Sequence, residues 1–401
     1  MRILIADRLP DTARLELQAA GLEVHFDPSL QDATLAAAVA KLAPEVLVVR
    51  STVVTAAIIN ASPALQLVVR AGAGVNTIDL EAASARGVFV SNCPGTNAVA
   101  TAELAFAHIL NADRRVADGV ADLRAGKWRK SVYSKAHGLK DRTLGVLGTG
   151  DIGQAVIARA KAFEMNVVAW SRSLTPARAA MLGVTRMEHP VDVARAADVL
   201  TVHLALTPAT RGFVGPAIFD ALRPGAIFVN TSRGPIVDEA ALARAVHDKG
   251  IKAGLDVFAG EPEDDGDWLP GIAHLPGVYG THHIGASTAQ AQEAVAAETC
   301  RIILEWARNG TARGCVNLAE HTPANYLLVI RHVDRVGVLA GVLDHLRQAH
   351  LNVQQMENVV FQGAKAACAK IQIEGEPPAD LGARLAQDDA IFEVKLVPLK
   401  R

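Results

Sequence analysis

The sequence predicts an α/β protein with two doubly wound, parallel-sheet domains and a smaller C-terminal α+β domain. At 401 residues the chain is longer than one hydrophobic core usually organises. Short β-branched runs alternate with Ala-rich helical stretches as far as Gly285, which is typical of βαβ units. From Tyr326 the pattern changes to β-α-β-β-α-β, the order of a ferredoxin-like unit.

Composition excludes several function classes. The net charge of −2 gives no sign of a nucleic-acid or membrane-surface partner. An Arg and an Asp interrupt the first apolar run, residues 1–9, so we expect no signal peptide there. The cysteines, Cys93, Cys300, Cys315 and Cys368, share no metal-ligand spacing. We therefore expect a cytoplasmic protein with reduced thiols and no metal site.

Five apolar runs predict the first parallel sheet. They are Ile3–Ala6, Leu22–Phe26, Val46–Val49, Leu67–Val69 and Val88–Val90. The helical stretches between them, Asp11–Ala20, Asp32–Leu42, Thr55–Ala61 and Asp79–Ala85, each open with a residue that suits an N-cap. A long helix without glycine or proline follows, from about Asn97 to Val116.

A second βαβ series begins at Thr143. Its six predicted strands are Leu144–Leu147, Val167–Trp170, Val199–Leu204, Ile227–Val229, Ala253–Val257 and Val278–Tyr279. The helix that follows, Thr288–Ala307, must pack outside this completed sheet. We therefore expect Rossmann-like or flavodoxin-like domains at 1–97 with 286–315 and at 98–285, and a third domain at 323–401.

A phosphate-binding turn follows the strand that ends at Leu147. Gly148, Gly150 and Gly153, with Asp151 and Ile152 between them, form GxGxxG between a strand and a helix. The three glycines suit a tight turn, close approach of a pyrophosphate, and close helix–strand packing. The turn predicts a dinucleotide site, with the pyrophosphate at the helix N-terminus.

The ribose position leaves the choice of cofactor open. A fold that prefers NAD usually has Asp or Glu at the end of the second strand. Here Ser171 and Arg172 follow that strand instead. Arg172 suits a 2′-phosphate, so NAD and NADP are both retained; alternatively, Arg172 stacks on the adenine or faces solvent.

Polar residues follow three later strands of this domain. Ser232 and Arg233 follow one strand, Glu261 follows the next, and His283 follows the last. Asp256 is expected within its strand. Ligand crevices form at the carboxyl ends of such strands.

Together these blocks resemble the D-isomer-specific 2-hydroxyacid dehydrogenase family. The blocks are Arg70–Val75, Gly148–Gly153, Leu222–Gly225, Arg233–Asp238, Asp256–Pro262 and the residues around His283. The resemblance implies that His283 is the base, that Glu261 is its carboxylate partner and that Arg233 binds the substrate carboxylate. It also places Ser232 and Asp256 on the cofactor, with Asp256 on the nicotinamide carboxamide. One departure is His282, where the family usually has proline.

The resemblance places the substrate against the first domain. Arg50, Ser51, Asn97 and the backbone at Ala73 and Gly74 would face it, with Arg50 on a phosphate or carboxylate. A basic group around Trp128 would attract a phosphorylated substrate; we select Lys130 from it. A solvated helix end explains that basic group almost as well.

Residues 326–401 resemble an ACT domain, a ligand-sensing module of amino-acid biosynthesis. His332, Asp334 and Asn352 stand where feedback-inhibited relatives bind L-serine between paired domains. Asp334 replaces a usual asparagine and Val336 a usual proline.

From these resemblances we expect NAD(P)-dependent oxidation of D-3-phosphoglycerate to 3-phosphohydroxypyruvate, the first step of serine biosynthesis. The resemblance also implies a homodimer or homotetramer. The alternatives are an NADP-dependent glyoxylate or hydroxypyruvate reductase and a non-catalytic NAD-sensing interaction protein.

Overall fold

Three sheets organise residues 1–262 and 266–399, which the computed structural model describes. Two parallel sheets lie in the unit Met1–Asn317, and one antiparallel sheet lies in the unit Leu318–Arg401. Parallel sheets covered by helices, followed by a small α+β unit, confirm the predicted fold class.

The first sheet has five parallel strands in the order β2-β1-β3-β4-β5. The strands are β1 (Arg2–Ile5), β2 (Glu23–Phe26), β3 (Val46–Val49), β4 (Leu67–Arg70) and β5 (Phe89–Asn92). The helices between them are α1 (Asp11–Ala19), α2 (Asp32–Leu42), α3 (Ala56–Asn60) and α4 (Leu80–Ala85). Successive side chains of β1 enter opposite cores: Ile3 and Ile5 enter one, and Leu4 enters the other.

Three helices connect the two parallel sheets: α5 (Ala98–Arg114), α6 (Val116–Arg124) and α7 (Lys130–Tyr133). The sequence predicted one helix as far as Val116. The structure ends α5 at Arg114 because Arg115 takes a left-handed φ of 56° and turns the chain into α6.

The second sheet is parallel, in the order β12-β11-β10-β9-β6-β7-β8. Its strands are β6 (Thr143–Leu147), β7 (Asn166–Trp170), β8 (Thr185–Arg186), β9 (Val199–Val202), β10 (Ile227–Asn230), β11 (Lys252–Leu255) and β12 (Val278–Gly280). Its helices are α8 (Asp151–Ala162), α9 (Pro176–Leu182), α10 (Pro190–Ala196), α11 (Pro216–Ala221) and α12 (Glu239–Lys249). Strand β8 was not predicted, because it has two residues and no apolar run.

Asp256 lies one residue beyond β11, so its predicted position within the strand was wrong. The neighbouring strand β12 is three residues long and pairs with Ala253–Leu255. The ladder therefore stops at Leu255, and Asp256 begins the loop at the carboxyl edge of the sheet.

The long helix α13 (Ala289–Asn309) follows the second sheet but packs on the first. Val295, Ala296, Cys300, Ile302 and Ile303 share a core with β1, β3 and β4. This packing is what a discontinuous first domain requires. The boundaries proposed at 97 and 286 remain a prediction, since Met1–Asn317 forms one compact unit.

The C-terminal unit has a four-stranded antiparallel sheet with helices on one face. Its elements are β13 (Tyr326–Val333), α14 (Val338–Gln348), β14 (Asn352–Val360), β15 (Ala366–Glu374), α15 (Leu381–Leu385) and β16 (Ile391–Pro398). The strand order β14-β15-β13-β16 is that of a ferredoxin-like fold. Leu328, Ile330 and Ile371 form its core with α14 and α15. Across the described residues, no helix has the length and apolar character to cross a membrane.

Candidate functional site

Each glycine in the turn between β6 and α8 has a different steric environment. Gly148 has a φ of 102°, and an added Cβ would lie 2.3 Å from the backbone oxygen of His203. A Cβ on Gly153 would lie 2.1 Å from the oxygen of Gly148. A Cβ on Gly150, the N-cap residue of α8, would meet nothing within 4 Å. The turn is therefore tight on its inner side and open at the helix N-terminus, where backbone amides attract an anion.

Three residues assigned to the cofactor have side chains directed elsewhere. The Asp151 carboxylate faces the first sheet's loop, 3.2 Å from where a Cβ on Gly95 would lie. Ile152 packs against the sheet core. The Ser232 hydroxyl donates to Oδ1 of Asn230 at 2.7 Å. These residues would therefore contact a cofactor at this edge of the sheet chiefly through their backbone groups.

The end of β7 presents Ser171 and Arg172, as the sequence predicted. Trp170, the last strand residue, stacks on Phe213 with ring centroids 5.3 Å apart. Ser171 is half-buried and Arg172 is exposed. No ion pair involves Arg172 within residues 1–262 and 266–399. Its guanidinium is thus available to a ligand at the ribose position.

His203, at the end of β9, is a residue that the sequence analysis missed. Its Nε2 lies 2.9 Å from the Thr201 hydroxyl, while the shielded Nδ1 atom has no partner in the described part of the chain. Burial lowers the pKa of His203 to about 3. A neutral imidazole therefore adjoins the glycine turn, where a charged one would repel the positive end of α8.

His283 and Glu261 form a close pair. His283 Nδ1 lies 2.5 Å from Glu261 Oε1, and both side chains are partly exposed. Burial acts to raise the pKa of Glu261, but the hydrogen bond and charge of His283, the Phe258 amide and the charge of Arg233 together lower it. The pairing occupies Nδ1 of His283, so Nε2 is the ring atom left for a substrate.

Arg233 lies close enough to Glu261 for their charges to interact. Burial lowers the pKa of the Arg233 guanidinium, and the charge of Glu261 opposes that shift. Its Nη1 donates to the backbone oxygen of Ser232 at 2.7 Å. A Cβ on Gly74 would lie 2.8 Å from Nη2. Glycine at position 74, in the loop after β4, thus leaves room for this guanidinium.

Asp256 holds the turn that carries His283. Its carboxylate accepts hydrogen bonds from the amides of Ile284 at 2.9 Å and Gly285 at 2.8 Å, and from the Thr281 hydroxyl at 2.6 Å. Its backbone oxygen accepts from the His283 amide at 2.8 Å. Three donors thus already satisfy the side chain that was assigned to a nicotinamide carboxamide. The structure gives Asp256 a positioning role in this turn, and its contact with cofactor remains a prediction.

Arg50 and Ser51 are held at the end of β3 by Asp7. The Asp7 carboxylate accepts from the amides of Arg50 at 2.6 Å, Ser51 at 3.1 Å and Thr52 at 3.0 Å. The Ser51 hydroxyl also donates to Asp7, at 3.1 Å. The loop is fixed by its backbone, which leaves the Arg50 guanidinium free to face the neighbouring cavity.

A cavity of about 160 Å³ brings residues of the two parallel-sheet regions together. Its lining includes Arg50, Asn97 and His283 from the predicted site, with Arg70 in addition. A Cβ on Gly72 would lie 1.9 Å from Arg70 Nη1, so glycine makes room for this second guanidinium. Burial, Arg233 and Arg50 all lower the pKa of Arg70. Arg50 and Arg70 thus line the cavity, and Arg233 lies near enough for its charge to act on Arg70, so the positive charge here suits an anion.

Arg70 was missed although it begins a block that the sequence analysis quoted. The available signal was an arginine at a strand end followed by two glycines. Ala73 and Gly74 lie in the same loop, where the Ala73 oxygen accepts from the Asn92 side chain at 2.6 Å.

Lys130 is not brought to this cavity. It begins α7 and lines a different cavity of about 350 Å³, with Arg115, Trp128 and Tyr133. The short helix folds back on α6, where the Tyr133 hydroxyl donates to Asp122 at 2.6 Å. Within one copy of the chain, this contact separates Lys130 from the other substrate candidates.

The predicted effector residues do not meet within one C-terminal unit. His332 is buried, with Nε2 3.2 Å from Asn358 Oδ1. Its strand neighbour Asp334 lies at the end of β13 beside Lys365, whereas Asn352 pairs with Glu374 at the other end of the sheet. Strand length alone separates these ends by roughly 30 Å.

Several known proteins are similar to this chain in sequence. Residues 106–285 match the family model described as the D-isomer specific 2-hydroxyacid dehydrogenase, NAD binding domain. The D-3-phosphoglycerate dehydrogenase of Mycobacterium leprae is 42% identical over 308 residues, which cover 75% of this chain and 56% of that protein. The enzyme of that name from Archaeoglobus fulgidus is 35% identical over 347 residues, covering 85% and 64%. The chain thus spans less than two thirds of the length of these relatives.

A solved structure extends the similarity over a whole relative. The 2-hydroxyacid dehydrogenase of Ketogulonicigenium vulgare Y25 is 30% identical, with a TM-score of 0.68 over 80% of this chain and 99% of that one. The 30% identity over nearly all of that structure and the match to the NAD-binding domain model indicate the same family. The chain therefore belongs to the D-isomer specific 2-hydroxyacid dehydrogenase family.

Proposed function

We propose that this chain oxidises D-3-phosphoglycerate to 3-phosphohydroxypyruvate with a nicotinamide dinucleotide. The observation that carries the proposal is the convergence of Arg50, Arg70 and Arg233 near the His283–Glu261 pair. A substrate with a carboxylate at one end and a phosphate at the other needs more than one guanidinium. The names of the curated relatives support the same substrate.

The chemistry follows from the order of these groups. Arg233 binds the substrate carboxylate, while Arg50 and Arg70 bind the phosphate. His283 Nε2 takes the hydroxyl proton as the C2 hydrogen leaves with its electron pair and the C2–O bond becomes a carbonyl. Glu261 stabilises the protonated imidazole that results. The nicotinamide, when bound, supplies the acceptor for the hydride.

Cofactor choice rests on the end of β7. The matched domain is an NAD-binding domain, and we propose NAD as the cofactor in use. Exposed Arg172 beside Ser171, with no carboxylate to repel a 2′-phosphate, supports acceptance of NADP as well. The same pair favours the second candidate, an NADP-dependent glyoxylate or hydroxypyruvate reductase.

We also propose that the chain forms a homo-oligomer, binds a small-molecule effector and works in the cytoplasm. Exposed apolar side chains on and beside α6 and α7, including Leu123 and Trp128, support a homodimer or homotetramer. The ferredoxin-like C-terminal unit supports a small-molecule effector, and L-serine is our candidate. The described cysteines are free thiols, which supports a reducing compartment such as the cytoplasm.

Turnover by the purified chain tests the function. We expect kcat/KM for 3-phosphoglycerate, and for 3-phosphohydroxypyruvate in reverse, to exceed the values for hydroxypyruvate and glyoxylate. His283→Ala should lower kcat roughly 10³-fold and leave NADH binding intact. Preference for glyoxylate would establish the reductase, and NADH binding without turnover of any substrate would establish a sensing protein. L-serine titration with a thermal-shift readout tests the effector.

A further inference from the structure

The turn that carries His283 is strained. His283 has a φ of 53°, in the left-handed region that residues with a side chain rarely adopt. Such a conformation costs about 1–3 kcal/mol and persists only where surrounding contacts fix it. The contacts with Asp256 described above fix it, because they engage three consecutive amides, from His283 to Gly285.

The Asp256 carboxylate is itself oriented by a chain of hydrogen bonds. The Thr281 hydroxyl lies 2.6 Å from Asp256 Oδ1 and 3.0 Å from His108 Nε2. A carboxylate only accepts, so the single hydroxyl hydrogen of Thr281 points to Asp256. The threonine oxygen is then an acceptor, and His108 Nε2 must carry a hydrogen to bond with it.

The surroundings of His108 keep its ring neutral and fixed. It is 4% exposed on α5, and burial lowers its pKa while the charge of Asp256 opposes that shift. A Cβ on Gly254, in β11, would lie 2.5 Å from His108 Cβ. Glycine at this strand position therefore allows α5 to approach closely enough for His108 to reach Thr281.

The same helix contacts the far end of the turn. The Thr101 hydroxyl, two helical turns before His108, lies 3.0 Å from the backbone oxygen of Asn97 and 3.3 Å from that of Gly285, so its single hydrogen is shared between two acceptors. Position 282 between Thr281 and His283 is a histidine, so no proline ring restricts the backbone there. The hydrogen bond from His108 therefore holds the Thr281 end of a segment that has no such rigid residue, and Thr101 lies against its Gly285 end.

We propose that Thr281 and His108 are positioning residues, which fix the Asp256 carboxylate and through it the orientation of His283. The proposal rests on the proposed function, in which His283 receives the substrate proton. A displacement of about 1 Å at a reacting group can cost about 10²-fold in rate. The relay therefore acts on kcat, whereas the glycine turn that binds the dinucleotide lies on other strands.

Two matched pairs of variants test the relay in the full chain. Thr281→Val and His108→Leu remove the hydrogen bonds at nearly constant volume, whereas Thr281→Ser and His108→Gln retain a hydroxyl and an Nε2 donor. We expect kcat for 3-phosphoglycerate to fall roughly 10- to 100-fold in the first pair, with KM and the Kd for NADH changed less than about threefold. The conservative pair should recover most of that loss. A positioning role would be refuted if Thr281→Val and His108→Leu had the same kcat as Thr281→Ser and His108→Gln. It would also be refuted if Tm and NADH binding fell in proportion to kcat.

Hydrogen exchange gives a readout that does not depend on the substrate. The amides of Ile284 and Gly285 should exchange at least about tenfold faster in Thr281→Val and His108→Leu than in their conservative partners. Unchanged exchange would overturn the relay even in an active enzyme. A wild-type chain that turns over no 2-hydroxy acid but shows this pattern would refute the proposed function alone.

Discussion

Glu261 Oε1 lies 2.5 Å from Nδ1 of His283, so the carboxylate engages one ring nitrogen and leaves the other for chemistry. Glu261→Gln preserves a hydrogen-bonding group but removes the negative charge. We expect kcat to fall at least about 100-fold, because the imidazolium formed in the reaction loses its counter-charge. Steady-state kinetics with 3-phosphoglycerate measure this. A variant with wild-type kcat would mean that Glu261 acts only in folding.

The same carboxylate predicts a pH dependence of stability. The pKa of Glu261 is lowered on folding, so its contribution to the free energy of unfolding is complete above its ordinary value of 4.5 and is lost as the pH falls through the lowered one. Glu261→Gln should therefore be less stable than the wild type at neutral pH, and the difference should shrink below pH 4.5. Urea unfolding across this range measures it. A constant difference would contradict the assigned shift.

Arg70→Met should weaken binding of phosphorylated substrates selectively. Hydrogen bonds to a charged group contribute about 1.5–3 kcal/mol, so KM for 3-phosphoglycerate should rise roughly 10- to 100-fold. KM for glyoxylate, which lacks a phosphate, should change little. Arg308→Met, at the exposed end of α13, is the matched control. Equal effects on both substrates would remove Arg70 from the phosphate site.

Two glycine variants separate folding from cofactor binding. Gly153→Ala places a Cβ 2.1 Å from the oxygen of Gly148, so we expect α8 to shift and Tm to fall by about 2–4 °C for each kcal/mol lost. Gly150→Ala meets no protein atom within 4 Å, so Tm should hold while the Kd for NADH rises. Thermal melts and NADH fluorescence titration measure the two effects. Unchanged NADH affinity in Gly150→Ala would place the pyrophosphate elsewhere.

Arg172→Asp should shift cofactor preference toward NAD. The variant replaces a guanidinium that suits a 2′-phosphate with a carboxylate that repels it and accepts ribose hydroxyls. The ratio of kcat/KM with NADP to kcat/KM with NAD should fall at least about tenfold. A ratio that does not move would show that Arg172 faces solvent in the complex.

His203 should make the protein sensitive to mild acid. Its pKa is about 3 in the folded chain and about 6.5 when unfolded, so the unfolded chain binds the extra proton between these values. The contribution of His203 to the free energy of unfolding is therefore fully present above pH 6.5. Below that pH it falls by about 1.4 kcal/mol per pH unit. His203→Leu should unfold with a shallower dependence between pH 6.5 and 4 than His247→Leu, which removes an exposed histidine. Parallel curves would contradict a buried neutral His203.

The sequence predicted those parts of the fold whose cause is local. The GxGxxG spacing is informative because each glycine answers a steric requirement of one short segment, and both parallel sheets follow from apolar runs. β8 has only two residues and left no such run. The end of β11 before Asp256 depends on the length of β12, a strand that is distant in sequence.

The candidate site divides in the same way. His283, Glu261 and Arg233 follow strands and were predicted from that position. Arg70 and His108 acquire their roles from a neighbour that is distant in sequence, Arg233 for one and Thr281 for the other. Such contacts cannot be predicted from the sequence alone. The steric reasons for Gly72 and Gly254 likewise become visible only when the neighbouring side chains are known.

The path of the chain through the first sheet has a consequence for synthesis on the ribosome. One apolar face of that sheet, including Ile3 and Ile5, is covered only in part by α1, and α13, whose last residue is Asn309, covers the rest. Roughly 200 residues must be translated after β5 before this cover exists, which takes about 10–40 s at common elongation rates. During that interval the nascent N-terminal segment exposes apolar surface. We therefore expect chaperone binding to be strongest before Asn309 leaves the exit tunnel.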